Sequence, residues 1–395
     1  MFNIVHTAEI GYITQDRQLI EDIFNAFAFT EEEQENLNEQ LIIYTDDGQQ
    51  IPCSCSKAAY KEVGDIIPGI KAISVRNLYV PSSFKIIVRI EPNLLITGRR
   101  SIALFHCTDE NKETLIDTFF LNMGDAIGYE YYDFLDLNNW LTERIDYTYN
   151  IHLGSKEAVK TFEDITKRTR KNSYNSKNLY LKEESPDNQS TASANKSSKT
   201  ILYDKQEQII DKYEGMPAEE RKELIKEAEG IARFEVQCDK AKVFSIMSST
   251  IDAKPQSRSF IDFLSESLST YLLTQKYAEL IGWGDFYSLE AAIKKIEESS
   301  LKPKMKEKLI NFMRLADQSE NIATLRENFI KGTVLEEYKD KNGSSITMYG
   351  SPSKYLNWTK KLISVGINAM PIARARNIEY FRNPVNPSDF NTTEE

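Results

Sequence analysis

Histidine, cysteine and long apolar runs are all scarce in this chain. Its three histidines, His6, His106 and His152, include no His-x-His pair. Four cysteines at Cys53, Cys55, Cys107 and Cys238 are too few and too scattered for a disulfide framework in 395 residues, so reduced thiols are expected. Cys53-Ser54-Cys55 lacks the second Cys or His pair that would complete a soft-metal site. There is no Gly-rich loop ending in Lys-Ser or Lys-Thr, which removes the usual phosphate cradle of an ATPase. No stretch approaches the roughly 20 apolar residues of a membrane span. The start Met1-Phe2-Asn3 has no basic n-region before an apolar segment, so a cytoplasmic protein with no membrane partner is expected. A basic excess is missing too: the net charge of −11 speaks against a general nucleic-acid binder and leaves only local basic patches.

What is present is an ordinary globular composition, 41% hydrophobic and 28% charged, in a chain long enough for two cores. Phe84 to Ile90, Arg144 to Asn150, Thr200 to Tyr203 and Ile231 to Cys238 read as strands from their alternation and β-branched or aromatic content. Leu115 to Ala126 reads as a helix, and Pro217 and Gly230 bracket another. Glu183 to Lys199 is nearly free of apolar residues and predicts a mobile polar loop. Beyond residue 255 the period becomes helical, with Phe260, Phe263, Leu264, Leu268, Leu272 and Leu280 on one stripe. Helices follow at 288–298, 302–315, 320–331 and 353–367, with a hairpin signalled by Asn342-Gly343. The expected division is therefore residues 1–249, a helical unit at 250–380 that is either a winged-helix DNA reader or a helical core with a hairpin, and a flexible tail at 381–395.

Three of these strands carry charge-apolar-charge units: Arg89 and Glu91, Arg144 and Asp146, Arg233 and Glu235. Successive strand side chains point to opposite faces, so each pair shares a face. Gathered in one sheet, they suit a phosphodiester with Mg²⁺ or Mn²⁺ held by carboxylates and guanidinium groups balancing the charge. A salt-bridged surface sheet gives the same pattern. Tyr203, with Lys205 beside it and Glu207 four residues on, adds a phenol that attacks phosphorus once its proton is drawn away. With 20 tyrosines in the chain, most serve packing. Basic runs at Lys167, Arg168, Arg170, Lys171 and Lys177 and at Lys302, Lys304, Lys306 and Lys308 are candidate DNA contacts or solvated faces.

The order of these segments resembles the gene II type replication proteins of filamentous phages and related plasmids. The likeness rests on Arg144-Ile145-Asp146, a following polar loop, Tyr203 to Glu207, and Arg233-Phe234-Glu235. Val88 to Leu95 looks like that family's central strand, and Tyr355 to Pro371, with Trp358-Thr359-Lys360-Lys361-Leu362, like its C-terminal helix. The resemblance implies an α+β fold, an antiparallel nuclease sheet related to His-hydrophobe-His endonucleases, then a mainly helical domain. It implies a rolling-circle initiator that nicks one origin strand, holds the 5′ phosphate on Tyr203 and later rejoins the displaced strand. Lys205, Arg144 and Arg233 would assist. With no His-x-His pair, Asp146, Glu235 and Glu91 would hold the ion, with His152 a minor candidate. Arg89, the run around Lys167, and Lys360 and Lys361 would contact DNA. The implied partners are origin DNA, a host helicase and a polymerase in a bacterial cytoplasm, with a homodimer left open. Plasmid initiators of related type and transposon relaxases share the chemistry, whereas the Arg-His-Arg-Tyr set of a tyrosine recombinase has no counterpart. The rival from another class is a non-catalytic copy-control or regulatory protein on the same fold.

Overall fold

Period-two alternation at Ala8, Ile10 and Tyr12, and again at Ile86, Val88 and Ile90, makes strands with one apolar face. The computed structural model describes residues 4–44, 49–79, 82–169, 190–194, 197–213, 216–339 and 342–386. Among these, eleven strands form one antiparallel sheet. The first six are β1 (Ile4–Thr14), β2 (Gln40–Tyr44), β3 (Gln50–Ser56), β4 (Ala59–Glu62), β5 (Ile70–Tyr79) and β6 (Ser82–Ile90). Then come β7 (Phe105–His106), β8 (Leu141–His152), β9 (Ser190–Ala194), β10 (Ser198–Asp204) and β11 (Ile231–Cys238). Their order is β2-β3-β5-β6-β1-β8-β11-β10-β9, with β4 on β5 and β7 on β1. Among the described residues β1 is thus central.

The register of β1 against β8 slips twice. His6 is extra in β1, between the pairs Val5↔Tyr147 and Thr7↔Asp146; Glu143 is extra in β8, between Glu9↔Arg144 and Ile10↔Thr142. Each bulge breaks the period of two and turns an additional side chain toward a face it would otherwise leave. One face of the sheet buries Val5, Ala8, Ile10, Ile145, Tyr147, Phe234 and Val236 in a core shared with helices Asp109–Ile127 and Glu266–Leu280. Each large side chain buried there contributes about 1.5–3 kcal/mol.

The structure corrects the boundary expected at residue 250. Phe260, Phe263, Leu264, Leu268, Leu272 and Leu280 all belong to the sheet's core, and the separate second core runs from Leu289 to Met370. Helical periodicity reveals an amphipathic face, not which core that face joins. The second unit packs Phe312, Phe329, Tyr355 and Trp358 edge to face between helices Leu289–Glu298, Pro303–Gln318, Ile322–Lys331 and Pro352–Ile363. The expected hairpin is there, Thr333–Lys339 against Ser345–Met348, with Gly343 at a φ of +79° that glycine adopts without strain. A third, small core of Ile209, Leu224 and Ala228, with Ile102 and Met216, ties helices Lys205–Lys212 and Ala218–Glu227 together.

Two segments expected to be mobile are in part built in. Within 183–199, residues 190–194 and 198–199 lie in β9 and β10, while 183–189 and 195–196 fall outside the described residues. Strand pairing has overridden composition, because backbone hydrogen bonds do not need apolar side chains. At the C-terminus Tyr380–Phe381 pairs with Phe286–Tyr287, and Asn383 accepts a 2.6 Å hydrogen bond from the Tyr277 hydroxyl; the tail beyond residue 386 is outside the described residues. Among the described residues no helix is long and apolar enough to cross a membrane.

Candidate active site

The opposite face of the sheet is polar, and the strand order decides which charges meet. Because β1 lies between β6 and β8, Glu9 stands opposite Arg89 on one side and Arg144 on the other, at 3.5 and 3.9 Å. Arg144 grips Asp146 two residues along its own strand with two parallel bonds, Nε to Oδ1 at 2.9 Å and the terminal nitrogen to Oδ2 at 2.8 Å. On β11 Glu235 is opposite Thr148, one step diagonally from Asp146. Tyr203 on β10 is opposite Arg233, and its hydroxyl donates to Glu235 Oε2 at 3.1 Å. Gln237 donates to the other oxygen of Glu235 at 2.6 Å.

Burial tunes these groups. Asp146 is 2% exposed, and burial reinforced by the negative Glu235 pushes its carboxyl up to about 7 against the pull of Arg144. Burial and the Glu235 carboxylate raise the Tyr203 phenol well above its ordinary value, so its proton is held where it is. Lys205 opens the helix after β10 and is buried; desolvation, then repulsion by Arg233, brings its ammonium down to about 6 against the pull of Glu91 and Glu235. Its amine is therefore largely neutral at pH 7 and donates to Gln208 at 2.7 Å. Burial likewise lowers His6, with Arg233 and Lys205 adding to the effect. The cluster thus brings together a phenol, a carboxylate that accepts from it, an amide on the same carboxylate and, two residues past the phenol, a buried amine.

Other placements differ from the sequence reading. Tyr203 does not share a face with Glu207: Asp204 caps the helix that begins at Lys205, and Glu207 turns away to pair with Lys156. Arg233 is 1% exposed, with its donors on Asn150 Oδ1 at 2.9 Å and the Ile102 carbonyl at 2.8 Å, so it pins the 102 segment instead of facing a phosphate. Glu91 lies beyond the end of β6 and pairs with Lys71 at 2.5 Å. His152 stands six residues past Asp146, roughly 20 Å along an extended strand.

These residues do not fit a resident divalent ion as they are arranged. Both oxygens of Asp146 hold Arg144 and both oxygens of Glu235 hold uncharged donors, while Glu91 is engaged by a lysine. Among the described residues no group of three His, Cys, Asp or Glu is placed to hold a metal ion. A ligand set of Asp146, Glu235 and Glu91 is thus not assembled. Neither Cys53 nor Cys55 joins one.

The basic candidates divide. Arg168 is no surface residue: its guanidinium donates to the carbonyls of Pro371 at 2.6 Å and Ser319 at 2.9 Å, with weaker contacts to Ala316 and Asp317 at 3.4 Å. It closes the C-terminal turn of helix Pro303–Gln318 and clasps the second core to the first. Lys167 pairs with Asp164 at 2.9 Å. Arg170, Lys171 and Lys177 lie outside the described residues. Lys360 and Lys361 are exposed on the last turn of their helix, as are Lys302 and Lys304 at the start of another, whereas Lys306 donates to the Glu297 carbonyl at 2.6 Å.

Sequence reading missed Glu9, Glu143 and Gln237. Glu9 alternates with Ala8 and Ile10 and was recoverable from its strand pattern; Glu143 reaches the polar face only through a bulge, which no periodicity reveals. The chain matches no protein-family model, no curated protein and no solved structure.

Proposed function

We propose that this chain initiates rolling-circle replication by nicking and rejoining one DNA strand. The observation that supports this is the Tyr203 hydroxyl held by Glu235 at 3.1 Å on a polar sheet face beside the Arg144–Asp146 pair. In the reaction the Tyr203 oxygen bonds to phosphorus and the bond to the 3′ oxygen breaks. The phenol proton passes to Glu235, and the leaving oxygen takes up a proton to become the free 3′ hydroxyl. The phosphotyrosine link conserves the energy of the broken bond, so the displaced strand can later be closed without an added energy source. The helices and hairpin between Leu289 and Met370 suit duplex reading through a groove.

One observation favours the non-catalytic reading, a copy-control or regulatory protein: the oxygens of Asp146 and Glu235 already hold internal donors. A relaxation assay on supercoiled plasmid carrying the DNA that flanks this coding sequence separates the two. Open-circular product with protein bound covalently at Tyr203 is expected; unchanged supercoils at every protein concentration, with or without Mg²⁺ or Mn²⁺, would leave the regulatory reading. Loss of product in EDTA would mean that the carboxylates rearrange to take an ion when DNA binds.

A further inference from the structure

Where β8 begins, the bulge at Glu143 sets one carboxylate among three cations. Lys85 lies at 2.8 Å, Lys240 at 3.0 Å and Arg258 at 3.1 Å. Burial would raise the Glu143 carboxyl, but Lys85 and Lys240 together hold it below the ordinary range, so it stays ionised. One charge cannot neutralise three, and the cluster keeps an excess of about two positive charges in a chain whose net charge is −11. The position is rigid: Thr142 donates its backbone N–H to the Arg258 carbonyl at 2.9 Å, and Leu141 bridges to Ser259. Arg258 Nε is buried with no partner.

An aromatic ring completes the patch. Phe244 is 48% exposed, with the Arg258 guanidinium 4.6 Å and the Lys240 ammonium 6.0 Å from its centre. A salt bridge built only to fix the 254–259 loop needs neither the surplus cations nor a phenyl ring in water. Cations beside a half-exposed aromatic ring are what a single strand needs, since phosphates seek the charge and a base can stack on the ring. The bulge turns Glu143 to the face of Arg144, and its partner Lys85 shares a face of β6 with Arg89, so the patch continues the Asp146 face.

We propose that Phe244, Arg258, Lys240 and Lys85 form a subsite for single-stranded DNA, seating a base and its phosphates beside the cleavage face. The duplex strand opened at the origin is the substrate this implies, and the inference rests on the nicking function proposed above. Anionic phosphate competes with Glu143 for these cations, of which Lys240 is the most exposed.

Fluorescence anisotropy of labelled oligothymidylate with the full chain tests this. Phe244→Ala and Lys240→Gln change half-exposed side chains and leave the fold intact, which a thermal melt checks. Each is expected to weaken binding about tenfold, and Lys240→Gln to reduce the salt slope by about 0.7. Unchanged affinity in both variants overturns the subsite, and so does a duplex of equal length that competes as well as the single strand. If patch-dependent binding appears while the wild-type chain relaxes no plasmid, the subsite stands and the nicking function falls. Relaxation that persists with patch-independent binding gives the reverse.

Discussion

Replacing Arg168 by alanine decides whether that residue serves stability or DNA. Its two short bonds to Pro371 and Ser319 come from a charged donor, for which about 1.5–3 kcal/mol apiece is typical. Water can reach part of the vacated carbonyls, so the expected loss is about 2–5 kcal/mol. For a unit the size of Leu289–Met370 that lowers the melting temperature by roughly 8–40 °C. The clasp also joins two separate cores, so calorimetry should resolve one transition of the wild type into two, with the Leu289–Met370 unit melting first. Arg168→Lys should recover only part of the loss, because an ammonium cannot fork between Pro371 and Ser319. DNA affinity measured below the first transition should be unchanged. A variant that melts as one unit at the wild-type temperature yet binds DNA tenfold more weakly would refute this, and would return Arg168 to the DNA contacts.

Tyr203→Phe should abolish the denaturant-resistant DNA adduct while costing about 1.5–3 kcal/mol of stability, the value of one hydrogen bond to a carboxylate; an adduct that survives, or maps to Tyr180 or Tyr213, removes Tyr203 from the mechanism. Lys205 titrates near 6 when folded and near 10.4 when unfolded, so between those values the unfolded chain binds the extra proton and stability rises with pH. Lys205→Met should therefore flatten the urea midpoint from pH 6 to 9, removing a slope of up to about 1.4 kcal/mol per pH unit, and an unaltered slope would mean the amine is charged. Gly69 has φ +90°, and a Cβ there would fall 2.3 Å from the Leu95 nitrogen, so Gly69→Ala should cost about 3 kcal/mol or more in a denaturant titration. It should also displace Glu91, whose N–H donates to the Gly69 carbonyl at 2.7 Å.

The four strands of the candidate site and the later helices were legible because their periodicity is local. Ser82–Ile90, Leu141–His152, Ser198–Asp204 and Ile231–Cys238 each contain the segment read from the sequence. Which side chains would meet was harder, since it depends on strand order. Arg144 and Asp146 were expected on one face and are, but their neighbour Glu9 comes from β1, which inserts between β6 and β8. Arg168 and Arg233 look in sequence like any phosphate-binding arginine. Only the tertiary fold reveals that carbonyls and an amide already occupy them. The same limit explains Phe260 to Leu280, whose apolar stripe was evident while the core it fills was not.

The central place of β1 has a consequence for how the sheet assembles. Ile4–Thr14 is far along the chain from its hydrogen-bonding partners, Phe84–Ile90 and Leu141–Tyr147. Until those join it the strand has two open edges, and closing such long loops is slow. The bulges at His6 and Glu143 also act as register marks, because a slip by two residues would keep the faces but leave both extra residues opposite the wrong backbone. Deleting Ile4–Thr14 would take out the middle of the sheet.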